Sequence, residues 1–279
     1  MDTLVTTGWL AERLGEDGPV VLDASYHLAP DRDARAEFAA AHIPGARCLN
    51  LAGLADRDSP LANTLPGRAQ FDAHLGAIGL SGGERIVLYD DSALRSAARA
   101  WLIFRLYGVE ASILDGGLGK WRAEGHPLES GAVQAGQSQF ASHGGRGAVR
   151  DKAEMLANLE SRAKQVVDAR PHARFTGEDA DIRGGVAAGH IPGSRNLPHS
   201  AVLREDGTFR SPDEIRAAFA DAGVDLSRPI VTSCGSGMTA SVLLVALHLA
   251  GVDDAALYDG SWSEWGADPA LPVATGEAA

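Results

Sequence analysis

Ala41-His42-Ile43-Pro44-Gly45-Ala46 returns in the second half of the chain as Gly189-His190-Ile191-Pro192-Gly193-Ser194. Other segments recur around this pair in the same order. Val21-Leu22-Asp23-Ala24 is repeated by Val167-Asp168-Ala169 after Val166, and Ile86-Val87 by Ile230-Val231. Leu114-Asp115-Gly116-Gly117 is repeated by Tyr258-Asp259-Gly260-Ser261, and Trp121 by Trp265. The last three repeats share an offset of 144. Self-similarity at so long a period means a duplicated domain rather than a solenoid. The 279 residues fit two domains of ordinary size. The repeats predict a first domain over 1–130, a join over 131–150 rich in Gly, Ser, Gln and Ala, and a second domain over 151–279.

Each half alternates short apolar runs with longer amphipathic ones. In the second half Gln165–Ala169, Pro229–Ser233 and Ala256–Asp259 read as strands, with helices over Met238–Ala250 and, briefly, Trp262–Gly266. Pro212–Ala222 reads as a helix with Ser211 as its N-cap, Pro212 in its first position and Glu214 three residues after the cap. In the first half Val20–Asp23, Arg85–Tyr89 and Ser112–Asp115 read as strands, with a helix over Arg95–Tyr107. Strands alternating with helices imply an α/β fold: two tandem domains, each a mostly parallel sheet flanked by helices.

A net charge of -12 argues against nucleic acid or an anionic membrane surface as partner. No apolar run approaches the ~18 residues of a membrane span, and Met1-Asp2-Thr3-Leu4 does not open like a secretory signal. Cys48 and Cys234 lie far apart with no C-x-x-C, which leaves no cysteine-rich zinc site. Reduced thiols in a cytoplasmic protein are the simpler expectation.

Aligned at the offset of 144, Asp90 stands opposite Cys234. Cys234 follows an apolar strand and opens Cys234-Gly235-Ser236-Gly237-Met238-Thr239-Ala240, with a helix beginning just beyond. Ligands of open α/β sheets bind past the carboxyl ends of the strands. Backbone N–H groups of a Gly-rich turn that feeds a helix converge on a small anion. A sulfur held there is favoured as thiolate, the nucleophilic form of cysteine. A tyrosine-phosphatase-like site would need an arginine six positions after the cysteine, but Ala240 stands there, and no Lys or Arg occurs between Pro229 and Ala279. Sulfur transfer asks only for the thiolate and donors to hold a persulfide. Cys48, flanked by Leu49 and Leu51, reads as a core residue. His42 and His190 recur in both halves, with and without the cysteine, and so read as structural. Trp121 and Trp265 read as core, and Trp262 as a candidate to line the site.

Phe38-x-x-x-His42-Ile43-Pro44-Gly45-Ala46 and Tyr258-Asp259-Gly260-Ser261-Trp262-Ser263-Glu264-Trp265 resemble the N- and C-terminal signatures of the tandem-domain rhodanese family. The resemblance spans essentially the whole chain. It implies an inactive N-terminal domain, with Asp90 in place of the cysteine, and an active C-terminal one with Cys234 as the persulfide-forming residue. Thiosulfate rhodaneses typically carry cations in the active loop. Gly235, Ser236, Gly237, Met238 and Thr239 form instead a neutral loop similar to that of the 3-mercaptopyruvate branch. That branch implies Arg174 and Arg183 as a pair that binds the donor's carboxylate and carbonyl, a thiol or thioredoxin-like acceptor (or cyanide), pyruvate as product, and no metal or organic cofactor. It also implies a proton relay from Ser236 through a loop histidine to Asp56. The matching loop position here holds Asn63, which can neither give nor take a proton as a general acid or base. A thiosulfate donor, and a non-catalytic sulfur carrier loaded by another protein, remain as alternatives.

Overall fold

The computed structural model describes residues 2–278 apart from 16, 132, 134 and 135. The chain forms two compact units. The first comprises Met1–Arg57, Leu65–Arg146 and Glu205–Phe209, and the second Asp58–Thr64, Gly147–Arg204 and Arg210–Ala279. In the first unit, strands β1 (Leu4–Val5), β2 (Val20–Asp23), β3 (Arg47–Cys48), β4 (Ile86–Tyr89) and β5 (Ala111–Leu114) build a sheet of order β1-β5-β4-β2-β3. In the second, β6 (Ala148–Arg150), β7 (Gln165–Asp168), β8 (Arg195–Asn196), β9 (Ile230–Ser233) and β10 (Ala256–Tyr258) build a sheet of order β6-β10-β9-β7-β8. Every pairing in both sheets is parallel. The two topologies are the same, which is the expected duplication in structural form.

The central strands β4 and β9 are buried at all four residues. A parallel strand covered on both faces needs a continuous apolar run rather than an alternating one, and Ile86-Val87-Leu88-Tyr89 supplies it. Among the described residues the α-helices are α1 (Thr7–Ala11), α2 (Ala34–Ala40), α3 (Arg68–Ala77), α4 (Ala97–Leu106) and α5 (Gly117–Ala123) in the first unit, and α6 (Lys152–Ser161), α7 (His172–Thr176), α8 (Pro212–Asp221), α9 (Ala240–Leu249) and α10 (Ser261–Trp265) in the second. Those that follow the central strands, α4 and α9, are buried over Ala97–Phe104 and Ala240–Leu247 and, the buried Arg99 apart, are accordingly mostly apolar. Helix α8 (Pro212–Asp221) begins with the expected capping box. Glu214 N–H donates to Ser211 Oγ, and Ser211 N–H to the Glu214 carboxylate. The start of α9 lies two residues beyond the expected Met238, because Met238 and Thr239 still belong to the loop. The last three residues of the expected join form β6 and pair with β10. Three residues are too few to carry a period. Trp121 and Trp265 are fully buried, and their indole N–H groups donate to Pro127 O and Pro272 O.

The candidate active site

β7 and β9 pair from Gln165↔Ile230 to Asp168↔Ser233, so Cys234 is the first residue past the carboxyl end of a central strand. It is 1% exposed. Ser236, Met238 and Thr239 are buried as well, and Gly237 takes a φ of 74°, a turn that suits glycine. The loop is pinned from α10 (Ser261–Trp265). Trp262 N–H donates to Cys234 O, and Ser263 N–H to Gly235 O. Ser261 was missed by the sequence reading. Its Oγ accepts the N–H groups of Cys234 (3.2 Å) and Gly237 (3.1 Å) and donates to Tyr258 O. It does so at a φ of 50°, where the aligned residue of the first unit is Gly117. A serine replacing the repeat's glycine was the signal that could have found it.

Arg183 reaches the same loop. Its Nη1 donates to Gly235 O at 2.5 Å, and a Cβ on Gly235 would stand 3.2 Å from its Nη2. Asp181 holds the guanidinium from the other side, with Nε–Oδ1 at 2.7 Å and Nη2–Oδ2 at 2.8 Å. Burial pushes the Asp181 carboxyl up, but the Arg183 hydrogen bonds and the Arg183 and Arg174 charges outweigh it and hold it below the usual carboxylate range. Arg174, in α7 (His172–Thr176), thus acts on the same carboxyl as Arg183. Arg183 is brought to the cysteine loop and Arg174 within electrostatic reach of Asp181, the acid that sequence reasoning overlooked. The spacing Asp181-Ile182-Arg183 was its signal, the same as in Asp168-Ala169-Arg170, where the two side chains form a buried bidentate pair.

Asn63 takes a φ of 64° and its Nδ2 donates to Ser236 Oγ at 3.3 Å. Asp56 lies in the first unit and is half-buried. Trp262 is 1% exposed and touches the loop through its backbone N–H. Its ring packs against the Arg170 guanidinium, 4.6 Å from the centroid, and its indole N–H donates to Ala187 O. His42 and His190 are buried, stack on Phe38 and Phe175, and bond through Nδ1 to the carbonyls of those residues, in keeping with structural roles. Cys48 is half-buried against the first core, and burial pushes its thiol up.

In the first unit the aligned loop holds a carboxylate. Asp90 Oδ1 accepts Ser92 N–H and Oδ2 accepts Ala97 N–H, each at 2.9 Å. Leu118 N–H donates to Asp90 O as Trp262 N–H does to Cys234 O. Among the described residues no group of three His, Cys, Asp or Glu side chains is placed to hold a metal ion, and no helix is long and apolar enough to cross a membrane.

The family model of the rhodanese-like domain matches residues 6–124 and again 151–268. The chain is 41% identical over 272 residues to 3-mercaptopyruvate sulfurtransferase of Homo sapiens, covering 94% of this chain and 91% of that protein. It is 40% identical over 269 residues to thiosulfate sulfurtransferase of Gallus gallus, covering 94% and 92%. The solved structure of the 3-mercaptopyruvate enzyme SseA from Escherichia coli superposes with a TM-score of 0.85 at 37% identity, over 95% of this chain and 100% of that one.

Proposed function

This chain belongs to the rhodanese family and is a sulfurtransferase built of two rhodanese-like domains, and on that premise we propose that its sulfur donor is 3-mercaptopyruvate and its sulfur carrier Cys234. Relatives named for mercaptopyruvate and for thiosulfate are equally similar, so overall identity does not choose the donor. The observation that carries the choice is local. The loop from Gly235 to Thr239 has no cation of its own, and the charge beside it is the Arg183 guanidinium bound to Gly235 O. Thiosulfate is a compact dianion that gains most from a cation at its sulfur. Mercaptopyruvate carries its charge on a carboxylate several bonds away and gains from cations set back from the thiol.

The Cys234 thiolate attacks the donor's sulfur. The S–S bond forms as the carbon–sulfur bond breaks, and the electron pair leaves as the enolate of pyruvate, which takes a proton on carbon. Ser261 already uses the amides of Cys234 and Gly237, so the persulfide charge falls to those of Gly235, Ser236, Met238 and Thr239. The Asp90 carboxylate, accepting the amide of Ser92 at the place aligned with Ser236, supports such a loop as an anion holder. Arg174 and Arg183 bind the donor carboxylate and carbonyl, with Asp181 fixing the Arg183 fork. A thiophilic acceptor (cyanide, a small thiol or a thioredoxin-like protein) then takes the outer sulfur, giving ping-pong kinetics. Both cysteines are free, which suits a reducing compartment such as the cytoplasm.

Intact-mass measurement after incubation with mercaptopyruvate is the test. The wild-type chain gains one sulfur atom and turns over, and Cys234→Ser does neither. A Cys234→Ser chain that still gains sulfur and turns over removes the proposal. A kcat/KM that strongly favours thiosulfate assigns the donor otherwise.

A further inference from the structure

Ser236 sits two residues after the nucleophile and is 9% exposed. Its hydroxyl has one proton to donate and two lone pairs to accept with. Asn63 Nδ2 donates to that hydroxyl oxygen at 3.3 Å. An amide N–H in this place fills an acceptor site of the hydroxyl and leaves its proton to point elsewhere. Asn63 is held for this by its backbone. A φ of 64° lies in the left-handed region, which asparagine tolerates better than most residues with a Cβ. The amide cannot exchange protons with Ser236, so no relay runs through it.

We propose that Asn63 is a positioning residue that makes Ser236 a one-way hydrogen-bond donor, aimed at the carbonyl oxygen where the enolate charge develops. This rests on mercaptopyruvate being the donor. Charge then builds on that oxygen in the transition state and is met by a pre-aimed hydroxyl rather than by a proton relay. The arrangement does its work without a titrating partner, so nothing at position 63 imposes a pH limb on the rate.

The test is a set of full-length variants assayed with both donors across the acid-to-neutral range. Asn63→Gly removes the amide while keeping a residue at ease with positive φ. It is expected to lower kcat about tenfold, the rate equivalent of one hydrogen bond, with KM little changed. Ser236→Ala is expected to fall at least as far. The double variant is expected to be no slower than Ser236→Ala alone, because Asn63 acts through Ser236. Asn63→Asp has the same shape but accepts the Ser236 proton instead of donating. It should be slower than Asn63→Gly at neutral pH and recover as acid protonates the new carboxylate, a recovery absent from the wild type. Wild-type kcat in Asn63→Gly, multiplying losses in the double variant, or an Asn63→Asp pH profile parallel to wild type would overturn the assignment. A wild-type preference for thiosulfate, which has no carbonyl, defeats the choice of donor and with it the target assigned to Ser236, whereas unchanged variants under a preference for mercaptopyruvate defeat the positioning role alone.

Discussion

Ser261 holds two amides of the Cys234 loop from a backbone conformation that a side chain resists. A non-glycine residue in the left-handed region costs about 1 kcal/mol or more. The first unit avoids that cost with Gly117, whose Cβ would stand 2.4 Å from Asp90 O. The second unit keeps the serine because its Oγ makes three hydrogen bonds, all buried. Two substitutions separate strain from bonding. Ser261→Gly loses the bonds and relieves the strain, whereas Ser261→Ala loses the bonds and keeps it. Both are expected to lower kcat about tenfold by freeing the loop. In urea unfolding, Ser261→Ala should be the less stable of the two by about 1 kcal/mol, although alanine is the better helix former and Ser261 opens α10. Equal activity in Ser261→Ala and wild type would mean that Trp262, Ser263 and Arg183 hold the loop without Ser261.

Helix α8 is the element whose start the sequence states most fully, since Ser211, Pro212 and Glu214 each supply a part of its N-terminus. Ser211→Ala is expected to cost about 1 kcal/mol in urea unfolding and to leave kcat/KM unchanged. A loss well below that would show that Pro212 and the buried Ile215 and Phe219 fix the helix without the cap. Other elements were legible for a different reason. β2, β4, β7, β9 and β10, with α4 and α9, each carry a run of apolar residues because they are buried, and burial is what an apolar run reports. β1, β3 and β8 have two residues each and β6 three. Strands so short are specified by the neighbours they pair with, not by a period of their own. Of the proposed site, Cys234, Ser236 and Arg183 were legible as candidates because their residue types can carry such chemistry. Asp181 and Ser261 were not, because each acts by holding another group, and that becomes visible only when Arg183 and the loop amides are in place.

Across the whole molecule the duplication places two different groups at one position of the fold, a sulfur in one unit and a carboxylate in the other. Asp90 is 5% exposed. Burial pushes its carboxyl up to about 6, against the amide bonds from Ala97 and Ser92 that pull it down. The sign of the consequence follows from proton binding. Between the unfolded value near 3.8 and the folded value of about 6, the folded chain keeps a proton that the unfolded chain has released. Raising the pH through that window therefore favours unfolding, by a total on the order of 3 kcal/mol above it. Asp181, held below the usual range by Arg183, contributes in the opposite sense, so the raw stability curve mixes the two. The difference between wild type and Asp90→Asn isolates one of them. Asparagine keeps one carbonyl acceptor for the loop and carries no charge. As pH rises from 4 to 7, about the span of that window, the urea-unfolding free energy of the wild type should fall relative to the variant by roughly the amount above. Parallel curves would mean that Asp90 ionises in the folded chain as freely as in the unfolded one. The loop would then be built to hold a full negative charge even where no sulfur is present.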